Sequence, residues 1–104
     1  MSLARLGAGS AVLDGVVYVM GGRDGDNMLD NVECFRDGRW QAAPPMSVAR
    51  AYPCAAVMDG AIYVMGGYDD NIAALNSVEC FRDGRWEMMP PMHTERYVAC
   101  AVSA

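Results

Sequence analysis

The chain has one histidine, no two cysteines within zinc-ligand spacing, and no long apolar run, and each shortage closes off a class of function. A membrane-spanning helix needs about eighteen or more uninterrupted apolar residues, and no stretch approaches that. Residues 1–15, MSLARLGAGSAVLDG, put Arg5 ahead of an apolar run as a secretory leader does, but Asp14 cuts the run short. The same pattern returns at 46–60, so it belongs to an internal repeat and predicts a cytoplasmic chain, with a nuclear one compatible. Basic residues are scarce as well: 8 against 13 acidic ones give a net charge of −5. Nucleic acid and anionic membranes are therefore not expected as partners, since both call for arginine and lysine concentrated on one face.

Metal and catalytic chemistry are short of residues too. The cysteines at 34, 54, 80 and 100 form no CxxC pair, and His93 stands alone, so a zinc site is not expected. Buried free thiols in a reducing compartment are the expectation instead. Asp24, Asp26 and Asp30 miss the calcium-loop pattern, because the sixth position counted from Asp24 is Leu29 where that loop needs glycine. Turn formation by Asp and Asn side chains is the simpler role. GAGS at 7–10 follows no strand and opens no helix, unlike a phosphate-cradling loop. No nucleophile lies beside a base, so the chain is read as a non-enzyme with no cofactor and no metal.

What the sequence does have is a repeat. Residues 32–40 read VECFRDGRW, and residues 78–86 read VECFRDGRW again. Around that phrase, Met1 to Pro45 and Met46 to Pro91 share MSxAR, AV, DG, YVMGG and PP in the same order, and residues 92–104 begin a third copy. The organisation read from this is a first repeat at 1–45, a second at 46–91, and the first strand of a truncated third at 92–104. One extra residue between Gly67 and Val78 marks that segment as a loop.

Within each unit the runs are short, rich in Val, Tyr, Phe and Trp, and separated by Asp-Gly. Asp-Gly between strand-like runs signals a two-residue hairpin of type I′. Such turns are expected at Asp14-Gly15, Asp37-Gly38, Asp59-Gly60 and Asp83-Gly84. Gly21-Gly22 and Gly66-Gly67 end the second strand of each unit, and paired prolines end the fourth. Four antiparallel strands in about 45 residues is the size of a β-propeller blade. The fold class is all-β, a partial propeller of about two blades.

The order DG, YVMGG, VECF, W, PPM resembles the kelch repeat over the whole chain. The repeat signature comprises Arg5, Arg50 and Arg96; Gly21, Gly22, Gly66 and Gly67; Glu33 and Glu79; Phe35 and Phe81; and Trp40 and Trp86. The arginines are expected to bond carbonyls or acidic groups of the adjoining loop, Glu33 and Glu79 among them. The aromatics are expected to pack between adjacent sheets. One departure is the third hairpin: kelch units typically carry Tyr where this chain has Phe35 and Phe81, with a longer turn before the Trp.

The resemblance implies a protein or peptide partner, as in the substrate-binding kelch part of cullin-based ubiquitin-ligase adaptors. The ligase-binding domain of such adaptors is not in this sequence. Carried over by position, the gripping face comprises Arg23 and Tyr68 after the double glycines, and Leu6, Ala51, Tyr52 and Tyr97 after the repeat arginines. Two other readings stand beside it. One is a self-assembling or designed propeller fragment that oligomerises through open blade faces, for example three chains in a six-bladed ring with one surplus strand each. The other is an actin-binding kelch protein.

Overall fold

A computed structural model describes residues 5–25, 27–69, 71 and 73–90. The expectations placed on Arg96, Tyr97, His93 and the third copy lie outside the described residues. The described chain is all-β, built from two four-stranded antiparallel sheets and one short ribbon. No helix among the described residues is long and apolar enough to cross a membrane.

The first blade comprises β1 (Gly9–Leu13), β2 (Val16–Met20), β5 (Val32–Arg36) and β6 (Arg39–Ala43), hydrogen-bonded in that order. Between β2 and β5 the chain makes a ribbon of β3 (Arg23–Asp24) and β4 (Asn27–Met28). The second blade comprises β7 (Cys54–Met58), β8 (Ala61–Met65), β9 (Val78–Arg82) and β10 (Arg85–Met89), also in sequence order. Each hairpin closes on its Asp-Gly, and every one of those residues has positive φ, from 52° at Asp59 to 80° at Gly84. Both central residues of a type I′ turn require this, and its twist matches that of the flanking strands.

Register then decides which side chains share a face. Tyr18 pairs with Ala11 and Cys34, and Val17 with Val12 and Phe35, so neighbouring residues of β2 serve opposite faces of the first blade. The face carrying Tyr18, Met20, Val32 and Cys34 packs on the face of the second blade carrying Ile62, Val64 and Phe81, forming one buried cluster. We call these the trailing face of the first blade and the leading face of the second. Ile62 and Val64 are fully buried there. Tyr18 meets Phe81 with ring centroids 5.5 Å apart at 57°, a tilted geometry favoured by the ring quadrupoles. The Trp86 indole N–H donates to the Pro44 carbonyl across the joint at 2.9 Å.

The loop between the second and third strands differs between the copies. In the first blade it forms the β3–β4 ribbon. The second copy, one residue longer, makes bridges from Tyr68 to Ala51 and Ala74 instead. The Asp69 carboxylate accepts from the Asn71 N–H at 2.9 Å and the Ala73 N–H at 3.1 Å, a side-chain substitute for a backbone turn.

Candidate functional site

Two arginines organise the end of the blades where the double glycines lie. Arg50 Nη1 donates to the Gly66 carbonyl at 3.0 Å and to the Ser77 carbonyl at 2.9 Å, while Nη2 meets Glu79 Oε2 at 3.2 Å. The Glu79 carboxylate also accepts from the Ser47 N–H at 2.7 Å and the Val48 N–H at 3.1 Å. It thereby ties the linker from the first blade to the third strand of the second. Both side chains are fully buried. Desolvation pulls the Arg50 guanidinium below the usual arginine range, and the charge and hydrogen bond of Glu79 oppose that shift. In the first blade Arg5 does the same work, donating to the Gly21 carbonyl at 2.9 Å, the Asn31 carbonyl at 2.7 Å and Glu33 Oε1 at 3.1 Å. These charges are spent inside each unit, fixing where its loops begin.

Each arginine is followed by a backbone bridge to the residue after the double glycine. Leu6 and Arg23 exchange bonds of 3.0 and 2.8 Å, and Ala51 and Tyr68 exchange two of 3.0 Å. The glycines permit this approach: a Cβ at Gly67 would lie 2.5 Å from the Ala51 carbonyl oxygen, and Gly67 has φ of +82°. A further bond of 2.7 Å from the Gly22 N–H to the Arg50 carbonyl stitches the first blade to the second.

The nominated gripping residues that are described all present a side chain on this rim except Ala51. Leu6 is 56% exposed, while Arg23, Tyr52 and Tyr68 are half-buried. Ala51 is fully buried, with both backbone groups engaged by Tyr68, so its methyl does not reach a partner and the expectation for it is corrected. The alanine serves the bridge, and its neighbour Tyr52 carries the surface. Arg5, Leu6, Arg23, Asp24 and Gly25 line a shallow hollow beside the ribbon.

Tyr52 was nominated by position alone, and its conformation adds what the sequence does not display. Its φ is +55°, the left-handed region that costs a bulky side chain. In that conformation its N–H donates to the Gly7 carbonyl at 2.7 Å, and its ring stacks on Tyr68 with centroids 5.6 Å apart at 25°. The ring also lies over Gly7, where a Cβ would come within 2.8 Å of its carbons. Gly7 stands at the same repeat position as Tyr52, so the residue that makes room was legible only as the odd one out.

With that geometry in view, the comparison with family models is decisive: the Kelch motif matches residues 4–47 and again 49–93. The chain belongs to the kelch family. A search of curated proteins finds no significant match. Kelch repeats are in general non-catalytic protein-interaction modules. In this kelch chain the double-glycine corners, the buried arginines and the tyrosine rim form one connected assembly.

Proposed function

We propose that this kelch chain is a non-catalytic interaction module that grips a protein or peptide segment on its tyrosine rim, as the substrate-binding part of cullin-based ubiquitin-ligase adaptors does. Arg23, Tyr68, Tyr52 and Leu6 form the grip, and Tyr97, at the repeat position of Leu6 directly after the repeat arginine, extends it. What carries the reading is the stacked Tyr52–Tyr68 pair, with one ring held at positive φ. Strain of this kind persists where the surroundings over-determine it, and it clusters at ligand clamps and active sites. Tyrosine and arginine also dominate binding energetics, because they offer large contact area with a polar end.

The test is selection of a displayed peptide library on the immobilised chain, followed by titration of the selected peptide. Tyr68→Ala and Arg23→Ala should each weaken binding tenfold or more, which corresponds to about 1.4 kcal/mol. Selection that yields no peptide, or a peptide indifferent to both substitutions, overturns the reading.

A further inference from the structure

Blade packing in this chain is directional, and among the described residues the two copies leave complementary faces without a neighbouring blade. On the second blade the leading face is covered by the first: Phe81 is 6% exposed, and Ile62 and Val64 are buried. The same face of the first blade carries Val17, Val19, Phe35 and Trp40 at the matching register positions. There Phe35 is 37% exposed and Val12 60%. The Phe35 ring meets that of its own Trp40, with centroids 5.2 Å apart.

What fits this face is specified by what already sits on its duplicate. The first blade covers Phe81 with Tyr18 and Cys34, and accepts the Trp86 N–H on Pro44. The second blade repeats those residues as Tyr63, Cys80 and Pro90 at the same register positions of its trailing face. On that face Met58 is 44% exposed, Tyr63, Met65 and Met89 are half-buried, and Cys80 is buried. Most substitutions between the two trailing faces exchange one apolar residue for another, Leu13 for Met58 and Ala43 for Met89, while Gln41 beside Cys34 becomes Glu87 beside Cys80.

We propose that the chain self-associates head to tail, the trailing face of one copy's second blade docking on the leading face of another copy's first blade. The register is that of the internal joint. Phe35 meets Tyr63 of the second copy, as Phe81 meets Tyr18, and the Trp40 indole N–H donates to the Pro90 carbonyl of the second copy. Such a contact is heterologous, with different patches on the two partners, so it extends until a ring closes. It uses the blade faces and leaves the tyrosine rim open, so it stands apart from the peptide-binding reading.

Sedimentation velocity of the full chain over a hundredfold concentration range tests this, with two variants that each disable one face. Phe35→Asp alters only the leading face and Tyr63→Arg only the trailing face. The parent chain should show a weight-average mass at least double its 11.2 kDa at the upper end of the range. Each variant alone should stay at the single-chain mass with an unchanged circular dichroism spectrum. An equimolar mixture should form a dimer and nothing larger, because one intact face remains on each. If Phe35→Asp does not fold, Trp40→Gln replaces it. A parent that stays at the single-chain mass throughout overturns the proposal, as does a variant that associates like the parent. So does a mixture that fails to dimerise.

Discussion

The two copies of VECFRDGRW are a controlled comparison made inside one molecule. In the second blade Phe81 is 6% exposed and touches Tyr18, and Trp86 donates to Pro44. In the first blade the identical residues leave Phe35 37% exposed beside Trp40. The local pairing is the same in both, with Phe–Trp centroids 5.0 and 5.2 Å apart. Sequence and hairpin geometry therefore set the Phe–Trp contact, while the neighbouring blade sets burial. A repeat protein distributes its stability in this way, part within each unit and part in the joint between units.

The comparison can be broken most severely at Glu79. Removing one partner of a buried ion pair leaves the other charge unpaired, at a cost of about 3–5 kcal/mol. Glu79→Ala should lower the unfolding free energy measured by urea titration by that much, and it also unties Ser47 and Val48 from the second blade. The sharper experiment pairs the phenylalanines. Phe81→Ala should cost about 3–5 kcal/mol, as for a large-to-small core change. Phe35→Ala, at an exposed site away from the joint, should stay within about 1 kcal/mol in urea unfolding at a concentration where the chain is a single copy.

A smaller loss is expected at the rim. Gly67→Ala meets the Ala51 carbonyl and an unfavourable φ at once, which should cost about 1–3 kcal/mol by thermal unfolding. Last come the indole N–H groups. Trp86→Phe removes the bond to Pro44 and should cost about 0.5–1.5 kcal/mol, whereas Trp40→Phe should be close to neutral in the single chain.

The blades were legible because their signals are local. Four Asp-Gly turns, runs of strand-forming residues and two double glycines define hairpins without reference to the rest of the chain, and the repeat supplies their order. The expected packing of aromatics between sheets is met by Phe81 and Trp86, but Phe35 and Trp40 carry the same letters with no blade on that side among the described residues. The β3–β4 ribbon was hidden because RDGDNM reads as a polar loop, and its two-residue strands are too short to show a period. The burial of Ala51 was hidden as well. Position after the arginine nominated it, but only the bridge to Tyr68 shows that its backbone is the part in use. The left-handed Tyr52 had no local signal, since nothing in RAYPC demands positive φ. The conformation belongs to the repeat position, since Gly7, its equivalent in the first unit and the residue it bonds to, is left-handed as well at φ +72°.

The placement of the indoles has a practical consequence. The chain has two tryptophans, and they sit at the same repeat position in the two blades. Trp86 bonds across the joint and Trp40 does not take part in it. With Trp40 replaced by phenylalanine, the emission wavelength and quenching of Trp86 become an optical gauge of whether the blades are closed on each other. The converse replacement leaves Trp40 as a reporter of whatever arrives at the open face. One pair of duplicated residues thus provides two separately readable fluorescent signals, one from inside the molecule and one from its boundary.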